Sequence, residues 1–596
     1  MGGRRIWLGA AAVFAFLVAT PTAMAAVDEP WAGKLDSRHS AVRAGGDDSG
    51  GVVARNFKVL GHHNLGMADA NGDVWAHGRF AYVGTWSDPC NGRGVKIVDV
   101  SRLRQPRLIG TLAARDGTSA EDMVVRRVST SFFSGDLIAV GIQRCDFENP
   151  ALDEQQFGIE LWNVSNPYSP VKLGELGITN GDGGVHELDL FQRGRKVYAL
   201  LAVPFREWFD PMPGGDFVIA DVTNPRAPFI VSDWGAGENG FSPGPFWGQG
   251  SFGATFDHSA RVSKDKKKAY VSYWDLGVLT FDIRDVSNPR LVSRTRYKPR
   301  ADGDAHSMTP YQNRHGRQFI LQNDEDFDPR SPTRIRFPGG RGIGNENPGA
   351  SPLWLEPGHR VNAPVIRAAN QGCLAGDYPA DTAGKIAVVT TLFPFFDPAG
   401  GEEPACTQDV QEAAAEAAGA AAVVHDFIAE ATSPQFFDFS DVGIPAVFTD
   451  HETAQEMVEA GRATLRALRP SWGFLRVFDA KTGKQVAKFD GAPNVHAFPP
   501  PDGFWSIHNT ETRGRRAYSS WYTNGVVALD LRPLDRRPPG NPRMVGQFVP
   551  AVPGDMVPEV WGVFVRRDGV IFASDIPSGL WIVRPTGRAA SGGHDD

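Results

Sequence analysis

The feature that most constrains this chain is a unit of four short strands. Ala269-Tyr270-Val271-Ser272-Tyr273-Trp274 leads through a turn at Gly277 into Val278-Leu279-Thr280-Phe281-Asp282-Ile283, and Asn288-Pro289-Arg290-Leu291-Val292 follows. Just upstream, Asp257-His258-Ser259-Ala260-Arg261-Val262 supplies a fourth run. Strands this short, joined by tight turns, make a sheet with two apolar faces that it cannot cover by itself. Such a unit is stable only beside copies of itself.

The copies are present. Third-strand runs at 95–100, 159–164, 217–222 and 526–531 each lead to a fourth run entered through proline, at Pro106, Pro170, Pro228 and Pro542. A fifth unit opens with His306-Ser307-Met308 and Gln318-Phe319-Ile320-Leu321, is interrupted, and resumes at Gly473. A seventh, at 561–583, lacks its last strand, and Phe57-Lys58-Val59-Leu60-Gly61 near the N-terminus has the missing pattern. Pairing of 57–61 with 579–583 would close the ring and remove two sheet edges. The expected fold is an all-β seven-bladed propeller, with blades over 56–330 and 471–586.

Val95-Lys96-Ile97-Val98-Asp99-Val100-Ser101, Val218-Ile219-Ala220-Asp221-Val222-Thr223 and Leu279-Thr280-Phe281-Asp282-Ile283 resemble LVIVD repeats. That resemblance implies a bacterial surface or secreted β-propeller, and it brings no assigned activity.

The texture changes between Asp324 and Ser471. Residues 325 to about 350 are rich in Arg, Pro and Gly and read as loop, and strand and helix signals then alternate, with helices near 409–418 and 452–460. Alternation of this kind predicts a small α/β module. Gly372-Cys373, Gly384-Lys385-Ile386-Ala387, Cys406, Ala418-Gly419-Ala420-Ala421 and Gly443-Ile444-Pro445-Ala446-Val447 occur in the order that resembles a protease-associated (PA) domain, over about 350–470. The resemblance implies a non-catalytic lid or protein-interaction module. It departs from the family at Thr391-Leu392-Phe393-Pro394, where an Arg-Gly pair is usual.

Arg4 and Arg5 precede an apolar run and Ala23-Met24-Ala25, which reads as a secretory signal peptide over 1–25. Arg4-Arg5-Ile6-Trp7-Leu8 also resembles a twin-arginine signal; an ordinary n-region is the other reading. Residues 26–55 read as a flexible leader and 587–596 as a tail. The formal charge is −8, or −10 without Arg4 and Arg5, which argues against nucleic acid as a partner. No later apolar run reaches about 18 residues, so no transmembrane segment is expected. The expected location is secreted and extracellular. The four cysteines suit an oxidising compartment, and their positions predict Cys90–Cys145 and Cys373–Cys406.

The chemistry turns on where the first strand of each blade begins, because that strand lines the channel. The residues there are Asp73, Asp122, His186 with Glu187, Asp257 with His258, His306, His508, and Glu559 with Trp561. Convergence of His186, His258, His306 and His508 would suit a transition metal such as Zn, Cu or Fe. The competing reading has them hydrogen-bonding neighbouring blades as part of the repeat. Further candidates are a surface pair, His62-His63, and an acidic run, Asp324-Glu325-Asp326-Phe327-Asp328, which fits either Ca²⁺ or a solvated turn. Trp86, Trp208, Trp234, Trp247 and Trp274 fit either ligand stacking or inter-blade core. Two functions follow: an interaction scaffold for a protein or peptide ligand, or a metal-dependent oxidase or hydrolase using the channel histidines.

Overall fold

A computed structural model describes residues 51–591, apart from 67–70, 87–89, 91, 147–148, 181–182, 210–213, 242–254, 298–302, 327–331, 347–349, 392–404, 428–441, 469–470, 498–500 and 555. The expected signal peptide, residues 26–50 of the leader, residues 592–596 of the tail, Phe327-Asp328, Leu392-Phe393-Pro394 and Trp247 lie outside the described residues.

The described residues form seven sheets of four or five strands and one closed barrel. The innermost strands, in order, are Asn71–His77, Met123–Ser129, Leu188–Arg193, Ser259–Val262, Ala305–Gln312, Thr510–Arg513 and Val560–Val565. Each lies against the innermost strand of the next blade, and the seventh lies against the first, so the ring is closed.

Blade 5 combines Ala305–Gln312 and Gln318–Asp324 with Leu475–Asp479 and Gln485–Phe489, on either side of the insertion. Blade 7 takes Phe57–His63 as its outer strand, in register Val59 to Val583 and Gly61 to Ile582. That pairing bears the slip by one residue also found before the outer strand of blades 1 to 6, for example at Ile97/Val98 and Thr280/Phe281. Phe57–His63 is therefore equivalent to a repeat's own fourth strand, bulge included. Val53–Arg55, expected within the flexible leader, instead pairs with Arg543–Val549 and extends blade 6 to five strands.

The apolar cores explain why the units require one another: six of them each join two adjacent blades, and another fills the space between blades 5 and 6 and continues to channel-side residues of blades 1, 3, 4 and 7. Phe217 of blade 3 meets Phe281 of blade 4 with ring centroids 5.2 Å apart, and both are fully buried. The aspartate that ends each LVIVD-like run has its own local task. Asp99, Asp221 and Asp282 accept the backbone N–H two residues on, at 2.9, 2.8 and 3.1 Å, and so fix the turn into the outer strand.

The insertion is a seven-stranded barrel of mixed direction with helices Gln408–Ala417 and His451–Ala460. Asp450 caps the second helix by accepting the Thr453 N–H at 2.9 Å, and Gly461 ends it at φ 67°. The stretch read as loop before residue 350 is corrected. Pro332–Phe337 and Gly340–Glu346 form a hairpin whose strands pair with Arg462–Ala467 and Ala446–Asp450. Alternating Arg and apolar residues there are a strand pattern, which the glycines obscured.

Both expected disulfides are present. Cys90–Cys145 links the loops of blades 1 and 2, and Cys373–Cys406 lies within the insertion.

Candidate functional site

His186 lies two residues before its blade's inner strand, His508 likewise, His258 one residue before, and His306 on the second residue of its strand. All four are buried. The blades bring them together in a row: ring centroids are 4.2 Å apart for His186–His258, 4.0 Å for His258–His306 and 4.0 Å for His306–His508. Trp561 continues the row 4.3 Å from His508, Trp86 lies 4.9 Å from Trp561, and His186 completes a closed circle of six rings 5.6 Å from Trp86. Trp274 and Tyr522 stand beside it, 5.4 Å from His258 and 5.4 Å from His508.

Three glutamates attend the histidines. Glu121 Oε2 is 2.9 Å from His186 Nδ1, which also lies 2.9 Å from Gln143 Oε1. Glu187 Oε1 lies 4.0 Å from His258 Nδ1, while its other oxygen accepts from Arg261 Nη2 at 2.9 Å. Glu325 Oε2 is 3.5 Å from His306 Nε2, and the Tyr522 hydroxyl donates to Glu325 Oε1. Between the blades, His186 Nε2 and His258 Nε2 lie 2.8 Å apart.

Burial holds His258, His306 and His508 well below the usual imidazole pKa, so they are neutral and offer lone pairs. His186 also feels the burial penalty, but adjacent Glu121 raises it. Burial lifts Glu325 to about 8. Neither His258 Nδ1 nor His306 Nδ1 has a partner at ordinary hydrogen-bond distance, and His508 has none at either nitrogen. Buried polar atoms left this way are costly. Glu187, His258 and His306 present ligand atoms within 4.8 Å of one another, as do His306, Glu325 and His508. A contraction of a few tenths of an ångström would bring either set to the span a single ion bridges with bonds of about 2.0–2.2 Å. His186 belongs to neither set and stands against His258.

The other channel carboxylates do different work. Asp122 accepts the Leu188 N–H at 2.8 Å and ties blade 2 to blade 3, and Asp73 of blade 1 accepts from Asn509 at 3.0 Å and so reaches past blade 7 to blade 6. The residue of blade 2 that reaches the histidines is Glu121, two residues before its strand as His186 and His508 are before theirs. That alignment was the available signal, and Asp122 beside it obscured it. Trp86, Trp274 and Tyr522 follow the second strands of their blades, where Trp274 and Tyr522 adopt φ 40° and 30°. They wall the site, and Trp234, buried between blades 3 and 4, is core.

His62 is exposed, as expected of a surface pair, but it is held in place: its Nε2 lies 2.7 Å from Ser578 O and its ring stacks on Trp581 at 4.0 Å, on the closing seam. The acidic run is not a solvated turn, since Asp324, Glu325 and Asp326 are buried and Asp324 pairs with Arg476. The side chain of Trp208 is outside the described residues. Gly240-Phe241-Ser242-Pro243-Gly244 fits the Gly-x-Ser-x-Gly pattern, but it follows a turn and not a strand, and Ser242 is outside the described residues.

A family model for the PA domain matches residues 361–457, and one for the LVIVD repeat matches residues 68–113. No curated protein matches the chain. Among solved structures, a zinc aminopeptidase from Bacillus subtilis is similar at 21% identity and TM-score 0.20, over 27% of this chain and 36% of that one. The chain therefore spans about a third of that enzyme's length. Sqt1 of Saccharomyces cerevisiae aligns over 90% of this chain and all of its own, at 7% identity and TM-score 0.39. The computationally designed Ika8 protein covers 88% of this chain and 98% of its own at 8% identity and TM-score 0.36. Likeness this low bears on no activity. The repeat match, the PA match and the closed ring of blades together make the chain an LVIVD-repeat β-propeller of seven blades with a PA domain inserted in the fifth.

Proposed function

We propose that the protein is an exported metal-binding propeller, in which the axial histidines hold a transition-metal ion and the PA domain serves as a protein- or peptide-binding arm. The convergence of four buried histidines and three glutamates from five blades carries this reading. It sets neutral imidazole lone pairs, several without hydrogen-bond partners, at spacings close to those of a coordination sphere. His258 and His306 are the central ligands, with Glu187, Glu325 and His508 completing the set on either side. A bound ion would supply Lewis-acid or redox chemistry to a small molecule entering the channel, which suits an oxidase or hydrolase. The two disulfides fit an oxidising compartment and thus export. Among the described residues no helix is long and apolar enough to cross a membrane.

The test is elemental analysis of purified protein, repeated after a chelator and after dialysis against Zn, Cu or Fe. Stoichiometric metal that is lost in His258→Ala/His306→Ala supports the proposal. Protein that binds none of the three ions leaves the scaffold reading.

A further inference from the structure

On the rim of the propeller, the outer strand of blade 7, Phe57–His63, and the turn of blade 1 at 102–105 enclose a groove of about 510 Å³. That volume lies within the ~300–1,000 Å³ range of ligand-binding clefts. Leu60 and Leu103 form its floor and rest on the apolar core between blades 7 and 1. A Cβ at Gly61 would stand 1.9 Å from Leu103 O, so the turn is pressed against the strand and the groove is preformed. Arg102, Arg104 and Arg584 line it, and all three are exposed. Lys58, directly opposite Arg584 in the strand pair, adds a fourth cation.

Two features show that this charge does not serve the fold. Like charges set directly opposite each other across a strand pair are destabilising, and Lys58 and Arg584 are such a pair. Among the described residues none of the four cations has a carboxylate within ion-pair distance. Asp568, whose charge Arg584 feels, is already held by Arg566 at 2.8 and 2.9 Å.

The second feature lies in the turn. Blades 1, 3 and 4 close it with the same backbone bond, donated by Gln105 N–H to Arg102 O, by Ala227 N–H to Asn224 O and by Asn288 N–H to Asp285 O. In blades 3 and 4 the side-chain oxygen of Asn224 or Asp285 also accepts a backbone N–H two residues on, at 3.2 and 3.0 Å. Blade 1 places Arg102 there and gives up that bond. A residue that breaks its repeat's local rule without gain to the fold marks a functional position.

We infer that this groove docks an acidic peptide segment of a partner protein. One apolar side chain sits against Leu60 and Leu103, and carboxylates on either side of it meet Arg102, Arg104, Arg584 and Lys58. Arginine pairs carboxylates through two parallel hydrogen bonds, which fixes the segment's register as well as its charge. The apolar floor has no use for a bare polyanion. The chain as a whole carries a formal charge of −8, so a long polyanion or an anionic membrane meets repulsion beyond the groove, whereas a short segment stays within it. This docking is independent of the axial metal and separate from the insertion in blade 5.

Fluorescence anisotropy with the full-length protein tests it, using labelled pentapeptides that place glutamates around a central leucine, isoleucine, phenylalanine or tryptophan. Control peptides carry serine at the centre, or glutamine in place of the glutamates. The variants are Arg102→Asn, which restores the side-chain bond of the turn, and Arg104→Ser/Arg584→Ser, each checked for a thermal transition no lower than the parent's. The expected result is saturable binding of at least one apolar-centred peptide, which weakens as salt is added. Affinity should fall by about tenfold in whichever variant folds and with either control peptide. No binding of any of these peptides to the parent protein, unchanged binding in a folded variant, or equal binding of the serine-centred peptide would overturn the inference. Tighter, Arg102-dependent binding of heparin or of phosphatidylserine vesicles would also overturn it, and would assign the groove to a polyanion or a membrane.

Discussion

Glu121 of blade 2 accepts the indole N–H of Trp561 of blade 7 at 2.6 Å, while its other oxygen lies 2.9 Å from His186 Nδ1 of blade 3. A single carboxylate thus spans the axis and fixes both an aromatic wall and a histidine. Glu121→Gln keeps the size and the fold but weakens the hold on His186. Outer-sphere changes of this kind cost about 10–100-fold in metal affinity. Competition titration against a chromogenic chelator should show that loss with the melting temperature nearly unchanged.

The ring's closure rests on Phe57–His63. Phe57 is buried with Phe548 and Trp581 in the core between blades 6 and 7, and His62 stacks on Trp581. Phe57→Ala should cost about 3–5 kcal/mol, as truncation of a buried phenylalanine does. Removal of residues 51–63 should lower the thermal transition further and expose the edge of the strand Gly579–Pro585 to self-association, which light scattering would detect. An unchanged transition would show that the strand is dispensable.

Cys90 and Cys145 are 55 residues apart and join blades 1 and 2, and Cys373 and Cys406 are 33 apart in the PA domain. Replacing each pair by serine should destabilise by about 2–4 kcal/mol. Only Cys90→Ser/Cys145→Ser should disturb the metal site, because Cys145 lies two residues after Gln143, whose side-chain oxygen is 2.9 Å from His186 Nδ1. Denaturant unfolding and metal titration of the two variants separate these effects.

Lys96 is buried in blade 1, where its ammonium donates to Asn71 Oδ1 and Gly84 O at 3.0 Å each. Burial lowers its pKa from 10.5 to about 7. Between those values the unfolded chain holds a proton that the folded chain has released, so this group's contribution to stability grows as pH rises from about 7 towards 10.5 and is lost as pH falls back through that window. Relative to Lys96→Met, the parent should therefore gain stability with pH, by at most about 1.4 kcal/mol per unit. Urea unfolding at pH 7.5 and 9 tests it, and parallel pH dependence in the two proteins would refute it.

The architecture was legible because each repeat carries its own punctuation. The aspartate at 99, 221 and 282 caps the same turn each time, and the glycine and proline around it mark the same strand ends. The histidines were legible for the same reason, since a fixed place in a repeat is a fixed place in the ring. Glu121 was not, because it and Asp122 are both acidic and only strand register tells which one reaches His186. Tyr522 was hidden by a turn whose backbone conformation, φ 30°, no spacing predicts. The hairpin Pro332–Phe337 and Gly340–Glu346 was masked by composition, its glycines reading as loop although the neighbouring strands of the barrel complete it.

The central claim is that an ion sits on the propeller axis among these histidines. Anomalous diffraction from crystals of the metal-loaded protein tests it most directly. The account predicts one peak within bonding distance of His258 and His306, absent from His258→Ala/His306→Ala crystals grown the same way. Metal-loaded crystals whose peaks all lie elsewhere, with the His258 and His306 nitrogens bonded only to protein, would contradict it.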